Sequence, residues 1–203
     1  MLGEVIAATT SAVTALTGED GWSPAAVAIT ASGLVLATAF WWAYFLIPSR
    51  IILERWPERT YAWRYAHLPI FGAIAAVGAG LRIAATAVAE QELSTLQIAL
   101  ALAIPVAALV IMIFVTWSVL MRTYDLTHVP LFVPTLIPLL AAVAVPLFAG
   151  ATEPIDLDRT AGLTILAVVV GLVALAALVE VVGHEMVGYR HTLRVLERED
   201  PRL

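Results

Sequence analysis

Cysteine and lysine are both absent from the 203 residues. Without cysteine there is no disulfide, no thiolate metal site and no thiol nucleophile. Charge is scarce as well: Asp, Glu, Lys and Arg make up 13% of the chain, against about 25% in soluble domains. The N-terminus has no basic segment ahead of its first apolar residues, so no cleaved signal peptide is expected. There is no G-x-S-x-G elbow, no Walker loop and no dinucleotide fingerprint. The net charge of −5, with no basic arm, offers nothing to nucleic acid. These absences lead us to expect no enzyme activity, no cofactor, no metal and no nucleic-acid partner.

What is present is apolar surface. Hydrophobic residues make up 61% of the sequence, too many to hide from water, so the class is integral membrane protein. Five long apolar runs cover roughly Pro24–Pro48, Tyr61–Ala89, Leu96–Leu120, Val129–Gly150 and Ala161–Gly188. Each is long enough to cross a hydrocarbon core of about 30 Å at about 1.5 Å per residue. A sixth, Met1–Gly18, precedes them and is shorter. Lipid offers backbone amides no partner, so the runs must be helices or a closed barrel, and they lack the alternation of barrel strands. The expected fold is all-α: a polytopic membrane bundle of about six transmembrane helices, the first one short. One membrane-embedded domain spans 1–203, with a charged cytoplasmic tail over 189–203. Its surroundings are the lipid bilayer.

All eleven basic residues are arginine, and nine of them fall in alternate loops or the tail: Arg50, Arg55, Arg59, Arg64, Arg122, Arg190, Arg194, Arg198 and Arg202. The remaining loops hold Glu19 and Asp20, then Glu90 and Glu92, then Glu153, Asp156 and Asp158 beside Arg159. The positive-inside rule makes the arginine-rich side cytoplasmic. The expected location is therefore the bacterial cytoplasmic membrane, with both termini inside when Met1–Gly18 also crosses. Trp22, Trp56 and Trp63 lie near boundaries, while Trp41 and Trp42 are expected deeper.

Ionisable groups within apolar runs are the candidates for function, because a charge at mid-bilayer is costly. Glu4 either lines a polar cavity as a protonatable carboxyl or is an interfacial residue at a chain end. His67 lies about 9 Å along the helix from Tyr61; it either relays protons or bonds a neighbouring helix. Arg82 can snorkel outward or pair with Glu90 or Glu92. Gly72, Ala76 and Gly80 form a small-residue stripe suited to close helix contact. In "HVPLFVPTLIPLL", Pro134 and Pro138 free the carbonyls of Pro130 and Pro134, a kink of the kind that lines transporter sites or is simply absorbed by neighbours. Glu180 and His184 are i, i+4 neighbours able to hydrogen-bond, in a segment without the second histidine of a zincin motif.

Three stretches carry a resemblance. "LGEVIAA", "WSPAAVAITASGLVLATAFWWAYF" and "YAHLPIFGAIAAVGAGL" together resemble, in order over about residues 2–90, the C-terminal half of the bacterial low temperature requirement A (LtrA) family. Its Leu-Gly-Glu triplet corresponds to Leu2, Gly3 and Glu4, its aromatic helix end to Trp41, Trp42, Tyr44 and Phe45, and its Tyr-x-His-x-Pro start to Tyr65, His67 and Pro69. Beyond these the match is one of hydropathy and arginine-rich ends. The resemblance implies a polytopic inner-membrane protein linked to growth in the cold, and adds weight to Glu4 and His67. It also implies a longer family protein. On that basis the chain is either a truncated reading frame or a half-protein that works with a missing N-terminal half or by self-association. The expected function is a transporter- or permease-like membrane protein; the alternative is a non-catalytic structural or assembly subunit.

Overall fold

Backbone amides without water can satisfy themselves only along the chain, and a computed structural model of the protein obeys that rule. It describes residues 2–17, 21–47, 49–121, 129–155, 160–188 and Arg194. The helices are α1 (Leu2–Thr17), α2 (Pro24–Phe45), α3 (Ser49–Arg55), α4 (Thr60–Glu90), α5 (Thr95–Met121), α6 (Val129–Phe148) and α7 (Thr160–Gly183). A 3-10 turn, Pro57–Arg59, leads into α4, and a π turn, His184–Gly188, extends α7. Among the described residues there is no strand, only an isolated bridge between Ser94 and Pro154. The segments Ala26–Arg55, Pro57–Val88, Thr95–Leu120 and Ala161–Met186 are long and apolar enough to cross a membrane, and Phe132–Phe148 is a shorter apolar helix. The expected all-α membrane bundle is the fold observed. The tail over 189–203 lies outside the described residues except for Arg194.

Local chemistry sets the helix ends. Ser23 caps α2 by accepting a hydrogen bond from the Ala26 amide at 3.1 Å, with Pro24 at the first helical position, where its missing N–H costs nothing. Ser94 and Gln97 form a reciprocal capping box on α5: the Gln97 amide donates to Ser94 Oγ at 3.2 Å and the Ser94 amide to Gln97 Oε1 at 2.9 Å. Gln91 closes α4 in the left-handed region (φ 54°), its amide donating to the Ala87 carbonyl. The acidic end of the bundle is then stitched across loops. The Ile155 amide donates to the Leu93 carbonyl at 3.0 Å, tying the α4–α5 connection to the α6–α7 connection.

Packing follows a closed circuit. α4 lies against α1 and α5, α7 against α2 and α6, and α1 joins α2 while α5 reaches both α6 and α7. The core is aliphatic, with Val5, Ile29, Leu36, Val77, Leu81, Leu102, Leu109, Leu166 and Val173 all enclosed. Two contacts are close enough to demand glycine. A Cβ on Gly80 would run into the backbone carbonyl of Ala101 in α5, and one on Gly33 would strike the Thr9 side chain in α1.

The expected stripe of Gly72, Ala76 and Gly80 is therefore split: Gly80 is buried at the α4–α5 contact, while Gly72 and Ala76 are exposed and a Cβ on Gly72 would meet nothing within 4 Å. The reason is helical geometry. At 3.6 residues per turn, positions eight apart differ by about 80° around the axis, so the three residues do not share one face. We expect Gly80→Ala to destabilise the bundle by about 1–3 kcal/mol, because the obstacle is backbone and cannot swing aside. Gly72→Ala should be neutral or stabilising by up to about 1 kcal/mol, the ordinary gain in helix propensity. Unfolding by SDS titration in mixed micelles compares the two, and equal costs would show that the split is not real.

Candidate functional site

Polar side chains gather at the arginine-rich end of the bundle, in three groups set by which helix ends meet there. The most enclosed involves α6 and α7. Thr135 is fully buried, and Glu180 and His184 are 3% and 7% exposed. Thr135 Oγ1 donates to Glu180 Oε2 at 2.7 Å. His184 Nδ1 lies 3.0 Å from Glu180 Oε1 and 3.2 Å from the Glu180 carbonyl. His184 is the first residue of the π turn; such turns widen a helix and recur at functional sites. Glu180 lies six residues before the end of the apolar segment Ala161–Met186, about 9 Å inside it along the axis. Next to it, Trp42 Nε1 donates to Glu185 Oε2 at 2.8 Å, joining α2 to the end of α7.

The helix that supplies Thr135 runs continuously over Val129–Phe148 with proline inside it at 134, 138 and 146. Each removes a donor, leaving the carbonyls of Pro130, Pro134 and Ala142 without their helical amide. Pro134 is exposed while Pro138 is buried, although they are four residues apart, because Pro134 sits at the α6–α7 groove beside Leu178, Val182 and Gly183. The expected kink region thus borders Glu180 directly. Thr135 was not singled out from the sequence. Its signal there was only adjacency to Pro134, and nothing local pointed across to a residue 45 positions away.

The second group surrounds His67. Its Nδ1 is 2.6 Å from the Trp63 carbonyl and its Nε2 is 3.0 Å from the Tyr44 hydroxyl. The carbonyl can only accept, so Nδ1 carries the proton and Tyr44 donates to Nε2 in the neutral ring. The rings of Tyr44, Trp63 and Phe71 all lie edge-on or tilted within 5.6 Å of the imidazole centroid. His67 therefore bonds α4 to α2. Trp41 and Trp42 sit within the last two turns of α2 and inside the apolar segment Ala26–Arg55.

The third group is built on Arg59, 8% exposed. Its Nη1 donates to the Leu120 carbonyl at the end of α5, and its guanidinium lies 3.8 Å from the centroid of the Trp56 ring. Sequence reasoning counted this residue only as part of a basic loop.

The other expected site residues fall elsewhere. Glu4 lies in the first turn of α1, its side chain outside the described residues. The Thr9–Gly33 approach puts the Glu4 backbone roughly level with Thr38 of α2, about 10 Å in from that helix end. Arg82 is exposed on α4 and makes no ion pair among the described residues. His128 lies outside the described residues, and His67 and His184 belong to separate groups with separate partners. Among the described residues no three ligand-type side chains converge on a metal-sized site.

No curated protein and no solved structure matches the chain. A family model does, and it spans α1 to the π turn, taking in all three polar groups. By that match over residues 1–187, the chain belongs to the family of the bacterial low temperature requirement A protein (LtrA).

Proposed function

We propose that the protein is a permease-like, multi-pass protein of the bacterial cytoplasmic membrane, with both termini inside, in which Glu180 is the proton-carrying group. It is read as a carrier and not as an enzyme. The observation that carries this reading is a carboxyl group buried on the membrane-length α7 and hydrogen-bonded to Thr135 of α6, a helix with three internal prolines. Intramembrane carboxyls are expensive to keep, and their commonest use is in ion and proton pathways.

The surroundings isolate this group. α7 packs against α2, α5 and α6, and none of those three helices contains a charged residue. Their one titratable side chain is Tyr44, already engaged with His67. Among the described residues, the ionisable groups near Glu180 are thus its own helix neighbours His184 and Glu185, the latter exposed. His184 can pass a proton between the buried carboxyl and the arginine-rich end. Protonating Glu180 removes the negative charge that accepts the Thr135 hydroxyl, which loosens α6 where its own ladder is already missing donors. Charge state at Glu180 and the seating of α6 are coupled in this way. Glu4, His67 and Arg82 remain proposed accessory groups: Glu4 at a similar depth, His67 at the α2–α4 contact, and Arg82 toward the acidic end.

Proton uptake by proteoliposomes under a valinomycin-set potential tests the reading. Glu180→Gln, which keeps the shape and a hydrogen-bond acceptor, should lower uptake at least about tenfold, in line with the loss of an essential proton carrier. Unchanged uptake in a folded Glu180→Gln protein would sink it. The alternative, a structural subunit, is favoured by one observation: the His67–Tyr44 bond ties two helices together, and the groove that Tyr44 lines is walled almost wholly by apolar side chains. On that reading His67→Ala lowers thermal stability and leaves uptake alone.

A further inference from the structure

A groove of about 380 Å³ opens on the outside of the bundle between α2, α4 and α5, walled by Phe40, Tyr44, Phe71, Ile74, Leu109 and Ile113. These residues come from the last turns of α2 and the middle parts of α4 and α5, so the groove runs from the arginine-rich end toward the middle of the bundle. Its wall is nearly all hydrocarbon and aromatic ring. A packed helix is about 10 Å across, so this volume takes less than one turn of helix, whereas a single acyl chain is slim enough to lie along it.

A cation stands above the groove on the same helix face. Arg64, Leu68 and Phe71 follow at i, i+4 and i+7 on α4, and all three are exposed. Arg64 is about 10 Å nearer the arginine-rich end than Phe71. It makes no ion pair among the described residues, unlike Arg50, which is bonded to Glu54 at 2.8 Å. Tyr61, 71% exposed, lies one turn further out on the same stripe, at the level where amphipathic aromatics meet headgroups.

We infer that this groove holds one acyl chain of an anionic phospholipid, with its phosphate on Arg64. An apolar slot topped by an unpaired arginine selects a lipid by charge, whereas an unselected boundary lipid would need no cation in register with the slot. Binding uses neither Glu180 nor His184, so it stands apart from the proton-carrying pair of the proposed function.

Nanodiscs containing brominated phosphatidylglycerol or brominated phosphatidylcholine test the site, because Trp41 lies on its rim. The Trp41 signal is taken as the difference between the wild type and Trp41→Phe. Brominated phosphatidylglycerol should quench it at a concentration about fivefold lower than brominated phosphatidylcholine does, the preference one surface cation supplies. Arg64→Gln should abolish that preference, and Arg50→Gln should leave it intact. Equal quenching by both lipids would overturn the inference. So would equal loss in the two arginine variants, which would mean diffuse surface charge. A Trp41 signal that neither lipid quenches, in particles that contain two copies of the chain, would give the groove to a second copy and equally overturn it.

Discussion

Arg59→Ala is expected to cost the bundle about 3 kcal/mol, more than replacement of the exposed Arg50, Arg64 or Arg82. The last four carbonyls of a helix have no amide partner of their own, and α5 ends at Met121. Arg59 supplies the donor for one of them, at Leu120, from a side chain that is 8% exposed. Its charge also meets the negative end of the α5 dipole. A hydrogen bond from a charged donor contributes about 1.5–3 kcal/mol when enclosed, and the stack on Trp56 about 1 kcal/mol more. Truncation removes both. Arg59→Lys should recover only part of the loss, since an ammonium can reach a carbonyl but lacks the planar face that covers the indole. Arg64→Ala, one turn into α4 and exposed with no ion pair among the described residues, is the matched control. SDS titration of the purified variants measures all three. An Arg59→Ala midpoint no lower than that of Arg64→Ala would show that the carbonyl contact carries no stability.

The contrast between Arg59 and Arg64 marks where sequence reading stops. Both were read alike, as members of an arginine-rich side, because loop charge reports only which side of the membrane a segment faces. Helix positions were legible for a different reason: lipid leaves the backbone no other structure, so run lengths alone placed α2, α4, α5, α6 and α7 to within a few residues. The short α3 and the turn after it were not, since seven polar and apolar residues between two long runs carry no periodicity to speak of. The polar pairs divide in the same way. Glu180 and His184 lie four apart on one helix and could be seen together. Their third member, Thr135, and the Tyr44 partner of His67 come from other helices. No local spacing encodes which helices become neighbours. The glycines show the same limit: Gly72 and Gly80 look equivalent in a four-residue register, and only the packing of α4 on α5 tells them apart.

Replacing Thr135, Glu180 and His184 together by Val, Leu and Leu is expected to give a protein of near wild-type stability that carries no proton flux. The single variants should be worse folded than the triple. Thr135→Val takes a hydrogen bond from a carboxyl group that is 3% exposed, and His184→Ala removes an ionisable partner 3.0 Å from Glu180 Oε1 while opening a cavity. Each leaves an enclosed acceptor poorly satisfied, which costs about 1–3 kcal/mol. Removing all three side chains ends the penalty that each single change imposes on the other two, because apolar side chains of similar volume need no partner. Exchanges of this kind are often neutral or stabilising by about 1–4 kcal/mol. Stability therefore falls in the single variants and returns in the triple, whereas flux falls in Glu180→Gln and stays lost in the triple. A cluster kept only to hold α6 against α7 predicts the opposite pairing, with function following stability. A triple variant that folds and still takes up protons at the wild-type rate would reduce Glu180 to an adhesive and leave the carrier reading without its proton-binding group. A folded, inactive triple variant would mean that a costly buried carboxyl is retained for something other than stability.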